Sequence, residues 1–327
     1  MEFLSQGLGR SLSRPVVRDL LAGLRPSSLR QYQSCWSAFQ SFVASLDTPG
    51  VSQDTVFRFL RFLFHVRRRS VATINTHVAA LRDPLRYSCG VFLDPRLLDL
   101  LRRSFFLQRP PSRRPRPFWS LSKVLSSLAP PVFPAAAPPR LLFRRALFLL
   151  ALATGLRASQ LHALSRRPAW TVFAAGDTQV SLAPVPTFLA KNERETHRLH
   201  PVVVPAWFEA GGHHPLCPVA ALRAYLLSTR RASLDSLFVW PDSLRPCSRV
   251  HISRVLCETI EAADPGRCPR GQEVRRFAGS LLYLRTYSLD AVRRGGQWRS
   301  HVSFVNRYLI PAAEDAPCVA MASLPSR

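Results

Sequence analysis

Long apolar runs are missing from this chain. No stretch approaches the ~20 residues that a helix needs to cross a bilayer, so no membrane-spanning helix is expected. Acidic residues are also scarce, with 20 Asp and Glu against 45 Lys and Arg. No cluster of carboxylates offers a two-metal site. Paired cysteines are absent too. The seven cysteines stand at 35, 89, 217, 247, 257, 268 and 318. None forms a C-x-x-C pair and their number is odd, so free thiols in a reducing compartment are expected. Cys257 and Cys268 could approach His251 in space, yet their spacing matches no metal-ligand pattern. There is no internal repeat. The first residues, MEFLSQGLGRSLSRP, lack the basic start and long apolar stretch of a signal peptide.

What is present is positive charge and enough apolar residues for a core. The chain has 327 residues, a formal charge of +25 and 47% hydrophobic content. That length suits two domains. The arginines recur from Arg10 to Arg307 instead of filling one tail. A folded chain this basic points to a polyanion or an anionic surface as partner, and nucleic acid fits best. Ribosomal, chromatin and membrane-surface proteins share the property, so charge alone selects no activity.

Residues 14–107 read as a compact four-helix bundle. Ser27 or Ser28 caps a helix in which Leu29, Tyr32, Trp36, Phe39 and Val43 recur at helical spacing. SQDTVFRFLRFLFHVRRR follows, acidic at its start and basic at its end, as the helix dipole favours. A third helix through VATINTHVAALRDPLRY is expected to break at Pro84. A fourth covers DPRLLDLLRRSFFLQ. Residues 108–118, rich in proline and arginine, read as a semi-extended linker and the domain boundary. Beyond it, helices alternate with short strands expected within 169–190 and 197–205, then helices return.

Several residues stand out by position. Arg157 lies in LALATGLRASQLHAL, a segment otherwise fit for a core. A buried guanidinium is costly unless paired or bound to an anion. Gly155 just before it permits a local turn, which would aim Arg157 into a cleft. The plainer reading is an arginine reaching the surface. Lys191 lies in the turn between two expected strands, where a lysine is ordinarily solvated. Arg275 and Arg276 fall at a helix start followed by small residues. Trp298 can donate its indole N–H to a phosphate oxygen, and Tyr308 closes a short helix before Pro311. Both read equally well as core aromatics.

Taken in order, these pieces resemble the tyrosine recombinases, the phage-integrase class of DNA strand-exchange enzymes. TGLRASQL at 154–161 looks like that family's first arginine box. QEVRR at 272–276 looks like its second box, and WRSHVSFVNRYL at 298–309 its last. TFLAK at 187–191 and LCPVAALRAYL at 216–226 resemble, more narrowly, the recombinases of DIRS-type and Ngaro-type retrotransposons. The resemblance spans roughly residues 14–310. It implies an all-α core-binding (SAM-like) DNA-binding domain at 14–107. It further implies a mainly α catalytic domain with a small antiparallel β-sheet at 119–310, and a tail at 311–327. The two domains would form a C-shaped clamp on duplex DNA and assemble as a tetramer on paired sites.

The resemblance also assigns roles. Arg157 and Arg275 would hold the non-bridging oxygens of the scissile phosphate, as suits the guanidinium fork. Lys191 would protonate the leaving 5′ oxygen. Trp298 would pack on the site and bond the phosphate. Tyr308 would attack and form a 3′-phosphotyrosyl link. That bond conserves phosphodiester energy, so neither ATP nor a metal cofactor is implied. Arg67, Arg68, Arg69, Arg113 and Arg114 are candidate DNA contacts, and a nuclear location is expected. His301 is ordinarily a surface histidine.

Two positions depart from the family pattern. Its second box normally begins with histidine, where this chain has Gln272. Glutamine can bond a phosphate but cannot shuttle a proton near neutral pH. The first box normally ends in an acid, where this chain has Gln160, leaving Arg157 less firmly oriented. The alternatives are therefore a DNA-binding clamp of the same fold with weakened or lost catalysis, a topoisomerase-like activity, or an unrelated helical nucleic-acid-binding protein.

Overall fold

In the computed structural model, residues 13–47, 50–110, 119–129, 137–191, 193, 199–297, 304–305 and 309 are described. The chain divides into two compact units, 1–115 and 116–327.

The first unit is all helical among the described residues. Its helices are α1 (Arg14–Ala22), α2 (Pro26–Ala44), α3 (Gln53–His65), α4 (Val71–Cys89) and α5 (Pro95–Gln108). Short polar residues start three of them. The Ser52 hydroxyl accepts from the Thr55 N–H at 3.1 Å and the Thr55 hydroxyl accepts from the Ser52 N–H at 3.3 Å, a reciprocal cap. Ser70 accepts from the Thr73 N–H, and Asp94 from those of Arg96 and Leu97. The core is aromatic. Phe39 meets Phe59 edge-on at 5.3 Å, and Phe64 stacks on Phe105 at 4.2 Å.

Several expectations are corrected here. α2 starts at Pro26, not behind Ser27 or Ser28, because the fixed φ of proline suits the first helical position. α4 runs straight through Pro84, which is buried with its neighbours Leu81 and Leu85. Packing of that face outweighs the one backbone bond that proline forfeits. The bundle also carries α1, whose buried Val17 and Leu21 form a small cluster of their own. Gln108, where the expected fourth helix and the expected linker met, is the last residue of α5. Arg109 then folds back, donating to the carbonyls of Phe64 (3.1 Å) and Arg69 (2.6 Å) with its guanidinium 4.1 Å from the Phe64 ring centroid.

The second unit mixes helices with two small sheets. α6 (Leu121–Leu128), α7 (Pro139–Thr154) and α8 (Ala158–His162) come first. Strands β1 (Thr171–Phe173), β2 (Gln179–Leu182) and β3 (Val202–Pro205) form an antiparallel sheet in that order, pairing Val172 with Ser181 and Val180 with Val204. A two-stranded hairpin follows, β4 (Phe208–Glu209) and β5 (Gly212–His213). Then come α9 (Pro218–Ser228), α10 (Arg249–Ala263), α11 (Gln272–Thr286) and α12 (Leu289–Gly295). α7 is the centre of this core. Its Leu147, Phe148, Leu149, Leu150 and Ala151 are all buried, so no face of it is left for solvent over that turn. Val180, Leu182 and Val204 turn one face of the sheet to the same core.

Candidate functional site

The apolar helix α7 stops at Thr154. Gly155 follows with φ +60°, a left-handed cap that only glycine adopts without strain. Arg157 is thus not inside a helix at all. It is the N-cap of the short α8 and is half-buried. Its backbone N–H donates to Gln160 Oε1 at 3.0 Å, and Gln160 itself is buried. Glutamine at the end of the first box therefore supplies the acceptor that holds the backbone of Arg157. Among the described residues, no carboxylate lies within ion-pairing reach of the Arg157 guanidinium.

The same turn meets α11. Arg275 is 3% exposed and donates from Nη1 to the Gly155 carbonyl and from Nη2 to the Gly296 carbonyl at 2.8 Å. A β-carbon on Gly155 would touch that of Ala278 at 3.5 Å, so the small residues after Arg275 let the turn sit close. Gln272 opens α11 and is exposed.

Lys191 lies in a turn between β2 and β3 and is exposed. Glu193 organises the loop. Its carboxylate accepts from the Ala190 N–H at 3.0 Å and from the Leu199 N–H at 3.4 Å, while its own N–H donates to the Ala190 carbonyl at 2.9 Å. One residue on, the His200 carbonyl accepts from Gln297 Nε2 at 2.8 Å. Gly296 and Gln297 therefore reach both Arg275 and the end of the lysine loop. A hydrogen-bonded chain runs from the Gly155 turn through Arg275, 296–297, His200 and Glu193 to Ala190, next to Lys191.

The C-terminal box is anchored on α11 as well. Phe304 is buried, and a β-carbon on Gly279 would come within 2.8 Å of its ring. Only a bare helix backbone at 279 leaves that space. The Leu309 N–H donates to the Phe304 carbonyl at 3.0 Å. Phe304 and Leu309 bracket Tyr308 in sequence. Trp298, His301 and Tyr308 lie outside the described residues, as do Arg113 and Arg114.

Arg67, Arg68 and Arg69 are exposed in the turn after α3. The turn is ordered by bonds from the Arg67 N–H to the Phe62 carbonyl and from the Arg69 N–H to the Leu63 carbonyl. Arg68 takes a left-handed φ of 52°. Like Arg157 and Lys191, these three have no ion-pair partner among the described residues.

Other arginines are plainly structural. Arg166 is buried and donates to the carbonyls of Thr229, Ser236 and Leu237 and to the Tyr225 hydroxyl. Burial of Tyr225 pushes its phenol up to about 12, so it stays protonated and donates to the Val239 carbonyl. Arg145 donates to the Pro215 carbonyl, and burial brings it down to about 10. No group of three or more potential metal ligands converges among the described residues.

Sequence reasoning passed over one signal. The chain has 43 arginines and only two lysines, Lys123 and Lys191. Lys123 pairs with Asp264 at 3.0 Å. Lys191 is thus a rare residue type in an open position. Glu193 was overlooked because an acidic residue in a polar loop carries no periodic or motif signal.

The sequence matches no known protein-family description and no curated protein. Solved structures do match. The integrase of the Tn1549 transposon, in complex with transposon right-end DNA, superposes with a TM-score of 0.59 at 10% identity, covering 98% of each chain. The XerH site-specific recombinase bound to palindromic difH in its post-cleavage complex gives 0.58 at 15% identity, over 84% of this chain and 74% of that one. A lambda integrase dimer bound to a COC′ core site gives 0.53 at 15%, over 92% and 93%. At these identities the likeness speaks for architecture: the chain has the fold of the tyrosine recombinases.

Proposed function

We propose that this protein cleaves and rejoins DNA strands through a 3′-phosphotyrosyl intermediate, as a site-specific recombinase of a mobile element. One observation carries the reading. The Arg275 side chain holds the Gly155 turn two residues before Arg157 and the Gly296 carbonyl, and from Gln297 through His200 and Glu193 further bonds lead to Ala190, the neighbour of Lys191.

In this reading Arg157 and Arg275 hold the non-bridging oxygens of the scissile phosphate. Fixed cations there stabilise the charge that spreads over the equatorial oxygens in the transition state. Tyr308 attacks phosphorus, Lys191 protonates the departing 5′ oxygen, and Trp298 packs against the phosphate. Arg67, Arg68, Arg69, Arg113 and Arg114 contact the DNA backbone. The active form is a tetramer on two duplex sites, working in a nucleus.

A second reading has its own support. Gln272 stands exposed at the start of α11 where the family has histidine, and it cannot transfer a proton near neutral pH. A chain that binds DNA without cutting it would keep everything else described.

Covalent trapping separates the two. The full chain is mixed with a nicked duplex, selected by that chain from a random-sequence pool, in EDTA. A denaturation-resistant protein–DNA adduct is expected, and it vanishes in Tyr308→Phe. Tight, specific binding with no adduct would overturn the enzyme and leave the clamp.

A further inference from the structure

We infer that Glu193 is the positioning residue for Lys191; the inference rests on the strand-cleavage reading above. Lys191 sits on an exposed turn, and among the described residues its side chain makes no ion pair. What fixes the backbone beneath it is Glu193. Its two carboxylate oxygens take the amides of Ala190 and Leu199, nine residues apart, and draw together the two ends of the loop. Its own amide closes the turn onto the Ala190 carbonyl, around Lys191. Ala190 is buried, so this side of the clamp is seated in the fold. The other side adjoins His200, whose carbonyl is held by Gln297. Bonds from amides to a charged carboxylate are about twice as strong as neutral ones. In a chain with 20 acidic residues against 45 basic ones, this carboxylate holds two backbone amides and, among the described residues, no arginine.

The chemistry makes the inference testable. In cleavage, the Tyr308 oxygen bonds to phosphorus, its hydroxyl proton passes to solvent, and the P–O5′ bond breaks. The 5′ oxygen takes one proton from the Lys191 ammonium, which solvent restores. If sulfur replaces that bridging oxygen, the departing thiol has an ordinary pKa of about 8.5, like cysteine, and leaves without a proton. A lesion that only misplaces the proton donor is rescued by sulfur. A lesion in phosphate binding is not.

The experiment uses the full chain, as wild type, Glu193→Ala, Glu193→Asp, Lys191→Ala and Arg157→Ala. Amide hydrogen exchange over 188–204 is measured first, without DNA. Cleavage is then measured on the selected duplex with a 5′ oxygen or a 5′ sulfur at the mapped scissile position. Glu193→Ala is expected to speed exchange at Ala190 and Leu199 at least tenfold. It should slow cleavage of the oxygen substrate at least tenfold and cleave the sulfur substrate within a few-fold of wild type, as Lys191→Ala does. Glu193→Asp should recover part of the oxygen rate, and Arg157→Ala should stay slow on both. Unchanged exchange overturns the clamp whatever the activity. Faster exchange with equal loss on both substrates, or with no loss, overturns the positioning role alone. A wild-type chain that cleaves neither substrate overturns the strand-cleavage reading and this inference with it.

Discussion

The two units use the same abundant residue in opposite ways. Among the described residues, the helical N-terminal unit buries no arginine; its buried polar side chains are Thr55 and His77. The C-terminal unit buries Arg145, Arg166 and Arg275. In the first unit an aromatic core is complete without a buried arginine; even Arg109, which holds the Phe64 and Arg69 carbonyls, is only half-buried. In the second, guanidinium forks bind loop carbonyls that no helix or strand satisfies. Arg166 and Arg275 each reach more than one acceptor from a single side chain, which a loop-rich mixed domain needs. The lesson is that arginine count says little about where a phosphate sits. The informative property is what each guanidinium already holds. Arg166 is saturated by protein oxygens, whereas Arg157 has no carboxylate to hold it among the described residues.

The largest expected effect breaks that contrast directly. Arg166→Met takes the donor from the Ser236 and Leu237 carbonyls, at ~1–3 kcal/mol for each group left buried without a partner. The Thr229 carbonyl keeps the Ala232 N–H, and the Tyr225 hydroxyl keeps both of its bonds to Val239. Denaturant unfolding of the C-terminal unit should lose at least ~2 kcal/mol. Arg157→Ala should leave stability within ~0.5 kcal/mol and lower the rate of covalent adduct formation by ~10²–10³-fold. If both variants behave alike, saturated and open arginines are not different in kind.

A smaller effect is expected from the exposed arginines after α3. Replacing Arg67, Arg68 and Arg69 together by alanine should not alter unfolding. It should reduce the slope of log affinity for duplex DNA against log salt by up to ~2.7, or ~0.9 for each phosphate that is no longer neutralised. An unchanged slope places the DNA elsewhere.

The smallest effect sharpens the comparison by acid. His77 lies among the N-terminal aromatics, 5.6 Å from Phe59, and its pKa is lowered by burial first and then by the charge of Arg69. The unfolded chain therefore binds the proton more readily. Stability from this group is full above the ordinary value of 6.5 and is lost as pH falls through the lower folded value. In the C-terminal unit, Asp264 is lowered mainly by the Ser120 amide and then by Lys123. Its contribution is present above 3.8 and disappears only below that. The N-terminal unit should weaken first on acidification, and His77→Asn should remove that early phase. Amide hydrogen exchange followed separately in the two units against pH reads them apart.

Legibility in the sequence followed the length of the periodic segments. α3, α7, α9 and α10 declare themselves because their apolar residues repeat over several turns. α12 does not, since Val292 is its one buried side chain. The β4–β5 hairpin is two residues a strand and carries no alternation to read. Pro84 misled because local rules weigh the proline ring but cannot see the core that Leu81 and Leu85 reach. At the site, Gly155 and Arg157 were readable as a break in an apolar helix. The bonds from Arg275 to Gly155 and Gly296 were not, because the acceptors are backbone carbonyls, which leave no mark on residue identity.

The links from the Gly155 turn to Lys191 are joined in series. Series connection has a genetic signature. Once one link is cut, a second cut has little left to remove, so double variants along the chain should fall short of the sum of the singles. Gln297→Ala in a Glu193→Ala background should cost far less than in the wild type. Variation that survives at one of these positions would then loosen the constraint on all the others at once.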